Sequence, residues 1–195
     1  MAKKVRKNII LHRESCTSLD SPTNSKKKKA LNKKELWAEF LLFCDRSGFT
    51  LISADPDGTY PCFTDVVLSF NGSRFNLSVN LRNISSAYLP KDPTVKRRQV
   101  QSLDRELLPK NTKDHLSLLL GLYENDGKAV LGAWNPFRFC GHKTVRSCYI
   151  RQETIDQALL AGHATSKYGL APVYACTDTN LHWLLTNYTK DNCID

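Results

Sequence analysis

The chain has 195 residues, with 28 Lys and Arg against 19 Asp and Glu, and its formal net charge at neutral pH is +9. Hydrophobic residues make up 41% and aromatic residues 9% of the chain, which excludes a wholly disordered protein, a collagen-like repeat and a cysteine-dense scaffold. A chain of this length is typical of a single domain with a substantial core.

The first predicted element is a disordered basic arm over residues 1–31, followed by a single domain over 32–195. Residues 1–34 contain eleven of the Lys and Arg residues and two acids, so the rest of the chain has 17 residues of each sign. Lysine runs and the polar stretch at 17–25 bury too little apolar area to order the chain. Such an arm neutralises phosphate groups and releases counterions. The alternative is a solubilising or targeting tail.

The next elements are a helix and two hairpins. Asn32 followed by Glu35 predicts a helix start, and Gly48 predicts its end. The Asn71-Gly72 pair predicts a hairpin turn. The sequence predicts strands over 49–53, 63–70, 74–81, 115–123 and 129–134, with a turn at 55–58. Between the hairpins, residues 88–113 predict a long connection or an irregular edge strand.

The remaining elements predict the fold class. A polar loop over 135–144 is followed by a strand over 145–150, a helix over 152–161 closed by Gly162, a strand over 173–176 and a helix that Asp178 can cap. This order favours an α+β fold, with a largely antiparallel curved sheet or open barrel and three flanking helices.

The cellular setting follows from two absences in the sequence. No run of eighteen uncharged apolar residues is present, and the N-terminus lacks the apolar centre of a secretory signal. We therefore expect a cytoplasmic protein with no membrane partner. Seven cysteines form an odd set without regular spacing, which predicts reduced thiols.

Charge is unevenly distributed within the domain. Residues 35–65 contain six acids and one base, whereas residues 127–152 contain five bases and no acid. If segments 96–105 and 135–146 share a face, that face can read purine edges, because Arg, Asn and Gln bind them bidentately. The predicted DNA-binding residues are Lys96, Arg97, Arg98, Gln99, Gln101, Arg105, Trp134, Asn135, Arg138, His142, Lys143 and Arg146. The alternative is a pair of solvated loops.

Aromatic residues surround Arg138 in the second of these segments. Trp134, Phe137 and Phe139 suit a stacking platform or a pocket for an extruded base. Equally, Trp134 ends an apolar strand and suits the core.

Catalytic signatures are weak. After Asp65, the strand that would complete a PD-(D/E)xK nuclease runs Ser78-Val79-Asn80-Leu81-Arg82 and has no carboxylate. Cys140, His142 and Cys148 form at most half a zinc site, so we predict no metal site of this kind. If the protein is a nuclease, Asp65, Asp104 and Glu106 are the candidates for binding Mg²⁺.

Two segments resemble a domain of bacterial restriction endonucleases and related defence proteins. In 115–138 a hairpin ends in an Asn-Pro loop, and in 147–162 a Ser-containing strand is followed by a helix of the Glu-x-Leu-x-x-Ala type. The stretch from Arg98 to Gln101 lies where such proteins carry an Arg-x-Gln segment. The resemblance spans about residues 60–188 and implies DNA recognition in a restriction system, often with a separate nuclease domain.

The sequence therefore predicts sequence- or modification-specific binding of double-stranded DNA in a bacterial restriction or defence system. In this hypothesis the arm contacts phosphates, segments 96–105 and 135–146 read bases, and binding needs no cofactor. A nuclease or methyltransferase subunit is a further expected partner. The alternatives are a compact Mg²⁺-dependent type II restriction endonuclease and an RNA- or ribosome-associated protein.

Overall fold

A computed structural model describes residues 30–55, 62–101, 103–125, 127–141, 144–169 and 171–193. The basic arm up to residue 29, residues 56–58 of the predicted turn, and His142 and Lys143 lie outside these ranges. Within the ranges the chain forms three α-helices and ten β-strands. The helices are α1 (Lys33–Arg46), α2 (Gln152–Ala161) and α3 (Leu181–Asn192). The strands are β1 (Thr50–Asp55), β2 (Thr64–Phe70), β3 (Ser73–Asn83), β4 (Ser85–Ser86), β5 (Val95–Val100), β6 (His115–Asn125), β7 (Lys128–Trp134), β8 (Arg146–Arg151), β9 (His163–Tyr168) and β10 (Ala171–Cys176).

The strands form two sheets. Seven strands are arranged in the order β1-β2-β3-β6-β7-β10-β9, and a smaller sheet has the order β4-β5-β8. The pair β3–β6 is parallel, and the other paired strands are antiparallel. The predicted α+β fold with a curved, largely antiparallel sheet and three helices is confirmed, and the sheet does not close into a barrel.

Local chemistry fixes the first helix and the first hairpin where the sequence predicts them. The Asn32 side chain accepts a hydrogen bond from the Glu35 backbone N–H, and the Glu35 carboxylate accepts one from the Asn32 N–H. This reciprocal cap satisfies two backbone donors at the start of α1. Asn71 and Gly72 both have positive φ angles, as a two-residue turn between twisted strands requires.

The large sheet has a different layer on each face. Leu36 and Phe40 of α1 and Leu184 of α3 pack on one face, against β-strand residues such as Leu68 and Leu118. The small sheet and α2 pack on the opposite face, where Trp134, Ile150 and Ile155 belong to one buried cluster. The small sheet therefore has an inner face toward this cluster and an outer face. No helix among the described residues is long and apolar enough to cross a membrane.

Three elements differ from the sequence predictions. Strand β5 is the middle strand of the small sheet and not an irregular edge strand. Strand β9, which has no apolar run, forms by pairing with β10 at the edge of the large sheet. Helix α3 begins after Asn180, while the Asp178 carboxylate accepts a hydrogen bond from Arg46 at 3.3 Å.

Candidate nucleic-acid interface

A polar cleft of about 370 Å³ lies beside the small sheet and is the strongest candidate for a nucleic-acid interface. Alternation along the second half of β5 produces it: Arg98 and Val100 are buried, whereas Arg97 is half-buried and Gln99 is exposed. The cleft is lined by Arg82, Asn83, Ser85, Arg97, Gln99, Gln101 and Val145.

Strand register explains why these side chains meet. Arg97 pairs with Ser85 of β4 on one side, and Gln99 pairs with Ser147 of β8 on the other. Residues directly opposite each other in an antiparallel pair project from the same face of the sheet. Arg97 and Gln99 are two positions apart and share that face as well. Arg82, exposed near the end of β3, completes the lining.

The cleft combines positive charge with amide groups. Arg82 and Arg97 supply two guanidinium groups, and none of its lining residues is an acid. Gln101 is held in place by Cys62, whose thiol donates to Gln101 Oε1 at 3.3 Å. The Asn83 amide donates to the Leu31 carbonyl at 2.8 Å and ties β3 to the start of α1. The lining can therefore donate several hydrogen bonds to anionic or carbonyl oxygens.

Arg98 does not share this surface, although the sequence places it among the base-reading residues. Its side chain is 1% exposed, and its Nη2 donates to Asn80 Oδ1. Its Nε and Nη1 atoms have no hydrogen-bond partner among the described residues. Burial lowers the pKa of the guanidinium to about 10. Arg98 pairs in register with Cys148 and lies in the interior between the two sheets.

Trp134 is also interior, as the core interpretation of this residue expected. It is 1% exposed, and its indole Nε1 donates to the Tyr149 carbonyl at 3.1 Å. The paired glycines Gly121 and Gly132 leave room for the ring: a Cβ on Gly132 would lie 2.9 Å from Trp134 Cη2. Trp134 therefore joins β7 to β8 across the core and is not on the surface.

The two predicted base-reading segments are neighbours. Val100 pairs with Arg146, and Leu103 forms a bridge with Cys140. Their side chains nevertheless divide between different surroundings. The cleft is lined by Arg97, Gln99 and Gln101. A separate pocket is lined by Arg105 and Asn135. Of the remaining predicted residues, Arg138 and Arg146 are exposed and Lys96 is half-buried. His142 and Lys143 lie outside the described residues.

The acidic candidates lie apart from the cleft lining. Asp65 Oδ1 accepts a 2.5 Å hydrogen bond from Ser78, whose oxygen lies 3.0 Å from His115 Nε2. Activation of a serine nucleophile requires its hydroxyl to donate to the base, whereas the Ser78 hydroxyl donates to Asp65. Asp104 Oδ1 accepts from the Glu106 N–H at 3.0 Å. Among the described residues, no group of three or more His, Cys, Asp or Glu side chains is arranged to hold a metal ion.

Four residues of the cleft lining were not among the sequence predictions: Arg82, Asn83, Ser85 and Val145. The signal for Arg82 was present, because polar residues alternate along β3 at Asn76, Ser78 and Asn80. The predicted strand ended at Leu81, one residue before Arg82. Ser85 and Val145 had no such signal, because strand pairing brings them to the cleft.

Comparison with known proteins finds one family model whose matched residues include those of the cleft. The model described as Methylase-associated X1 matches residues 75–185, more than half of the chain. The match includes every residue of the cleft lining, from Arg82 to Val145. It supports the resemblance to restriction-system proteins and links the chain to restriction-modification systems. No curated protein and no solved structure matches the chain.

Proposed function

The chain belongs to the Methylase-associated X1 family, and on that premise we propose that it binds double-stranded DNA within a restriction-modification system. The observation that carries this proposal is the cleft, in which Arg82, Arg97, Gln99 and Gln101 converge without an acid in the lining. Guanidinium groups bind phosphates and guanine edges, and glutamine amides pair with adenine edges.

The spacing along β5 supports contact with successive bases. A strand rises about 3.3 Å per residue, so Arg97 and Gln99 are about 6.6 Å apart. Base pairs of B-DNA are stacked about 3.4 Å apart, so this separation corresponds to about two steps. The major groove accommodates β-strands, and several sheet proteins read DNA in this way. Arg97 and Gln99 are therefore our candidates for contacts with two positions of one site.

The basic arm supplies affinity in this proposal. Residues 1–29 contain nine of the 28 Lys and Arg residues, and clustered cations bind phosphates without reading sequence. Removing residues 1–29 should weaken binding to every duplex alike and reduce its dependence on salt. An unchanged affinity and salt dependence would show that the arm does not contact DNA.

Selection from a random duplex library tests the specificity. We expect the full chain to enrich a short motif, and Arg97→Ala or Gln99→Ala to relax the preference at one position each. A loss of about 1–3 kcal/mol on the selected site is expected for a bidentate contact. Lys190→Ala is the matched control, because Lys190 is exposed on α3 and lines neither the cleft nor the separate pocket of Arg105 and Asn135. Equal losses on selected and random DNA would reduce Arg97 to a phosphate contact.

The alternatives are tested with the same protein. Incubation of plasmid with Mg²⁺ or with EDTA tests the nuclease hypothesis, for which Asp65, Asp104 and Glu106 are the candidate ligands. Discrete fragments that require Mg²⁺ would support an enzyme, and competition by RNA would support an RNA-binding protein. We also propose a methyltransferase or nuclease subunit as a protein partner, because the family is described as methylase-associated.

A further inference from the structure

A second pocket, of about 400 Å³ and mostly apolar, lies beside the cleft. It is formed by the segment after β5, the 3₁₀ helix Pro136–Phe139 and the end of α3. Leu108 and Phe137 provide apolar surface, and three asparagines, Asn111, Asn135 and Asn192, contribute to the lining. Its volume is at the small end of ligand pockets, which range from roughly 300 to 1,000 Å³. The pocket therefore suits one compact ligand.

Hydrogen bonds hold the asparagines in fixed positions. Asn135 Oδ1 accepts from the Phe137 N–H at 2.9 Å, and Asn135 Nδ2 donates to Asn192 Oδ1 at 2.7 Å. Asn192 in turn donates to the Tyr188 carbonyl at 2.8 Å. A primary amide has two N–H donors and two acceptor lone pairs. These bonds use one donor and one acceptor of Asn135, so the same amide retains one of each for a ligand edge.

The lining has the chemistry that nucleotides require. The half-buried ring of Phe137 offers a stacking surface, and stacking on aromatic side chains is the usual way to hold an unpaired base. Arg105 and Lys110 are exposed and can contact phosphate, and Glu106 is the acid in the lining. An amide with a free donor and a free acceptor matches the edge of a nucleobase.

The pocket is close enough to the cleft for one DNA molecule to reach both. Gln101 lines the cleft and Arg105, four residues later, lines the pocket. Four residues span at most about 14 Å, which is less than half of one turn of B-DNA. The Gly141 N–H donates to the Leu103 carbonyl at 3.2 Å. This bond joins the segment between Gln101 and Arg105 to the residues that follow the 3₁₀ helix.

We propose that this pocket receives a single nucleobase extruded from the DNA that the cleft binds. The inference rests on the proposed function, since the duplex must first be held in the cleft. Extrusion breaks stacking and pairing, and the cost is smallest for a mismatched base. A protein that extrudes a base should therefore bind a duplex with one mismatched pair more tightly than the matched duplex.

The test compares the full chain on two duplexes that differ only at one central pair. We expect at least tenfold tighter binding of the mismatched duplex, and a ratio near one for Phe137→Leu, which keeps an apolar side chain but removes the stacking ring. Phe139→Leu is the matched control. Like Phe137, Phe139 is half-buried against the cluster that contains Trp134, but it does not line the pocket. The ratio of the two affinities in Phe139→Leu should therefore equal that of the wild type. Arg82→Ala should weaken both duplexes equally.

Three results would overturn the inference. Equal affinity for both duplexes in the wild type would refute extrusion and leave the proposed DNA binding intact. An unchanged ratio in Phe137→Leu would show that the mismatch is recognised elsewhere. If calorimetry with the four deoxynucleoside monophosphates shows binding that Phe137→Leu abolishes, while neither duplex binds, the ligand is a free nucleotide and both proposals fail.

Discussion

Arg98 donates a hydrogen bond to Asn80, and this contact joins the buried guanidinium to the large sheet. Asn80 also donates to the Cys62 carbonyl at 2.7 Å, so it links β5 to the segment that precedes β2. The other two nitrogens of Arg98 have no partner among the described residues. A buried cation with so few hydrogen bonds lowers the stability of the folded protein. The effect of a substitution on stability therefore depends on whether it removes the cation or its partner.

Asn80→Ala should lower the free energy of unfolding by about 1.5–3 kcal/mol, because it removes the hydrogen bond to a buried charged group. Adding Arg98→Met should recover part of this loss, since it removes the unpaired cation and keeps an apolar side chain. Urea unfolding of the two single variants and the double variant measures both effects. If the double variant is less stable than Asn80→Ala, the charge of Arg98 contributes stability through a contact other than Asn80.

Gly132→Ala should destabilise the protein by about 1–3 kcal/mol through overpacking, because the new methyl group would lie 2.9 Å from the Trp134 ring. Trp134→Phe should then cost less in the Gly132→Ala background than in the wild type, since the smaller ring makes room. A double-mutant cycle by thermal or urea unfolding measures this coupling. Strict additivity of the two changes would mean that the strand moves and the ring does not.

Local signals predicted the elements whose chemistry lies within a few residues. The Asn32–Glu35 cap, the Asn71-Gly72 turn and Gly162 after α2 are such cases, and all three are confirmed. The parallel pairing of β3 with β6 and the central position of β5 depend on contacts between residues far apart in sequence. No local sequence pattern predicts such contacts.

The candidate site divides in the same way. Arg97, Gln99 and Gln101 were predicted from residue type, and all three line the cleft. Arg98 is one residue from each of its neighbours in that run and yet faces the interior, because side chains alternate along a strand. Residues 96–99 contain no alternating apolar residues that would show which side chains of β5 face the core. All four were therefore predicted to read bases.

Buried thiols should make the protein lose stability at alkaline pH. Burial raises the pKa of both Cys44 and Cys148 to about 12, from an ordinary value of 9.0. Above pH 9 the unfolded chain releases these protons while the folded chain keeps them, so the unfolded state gains stability as pH rises toward 12. The loss should approach about 1.4 kcal/mol per thiol for each pH unit.

Comparison of urea unfolding at pH 8 and pH 10 tests this expectation. Cys44→Ala and Cys148→Ala should each reduce the difference between the two pH values by about 1.4 kcal/mol, whatever their effect at pH 8. Cys62→Ala is the control, because this thiol is exposed and its removal should leave the difference unchanged. A difference that is the same in all four proteins would assign the alkaline loss to other groups.

Arg82 should contribute to DNA binding through charge, because it is exposed at the rim of the cleft and lies outside the run on β5. Each phosphate contact releases counterions, so Arg82→Gln should reduce the slope of log Kobs against log salt by about one. The affinity should fall by a similar factor on selected and random duplexes, because a phosphate contact reads no sequence. Titrations at several salt concentrations measure the slope, with Lys190→Gln as a control of equal charge change. A slope equal to that of the wild type, or a loss confined to the selected site, would contradict a phosphate contact by Arg82.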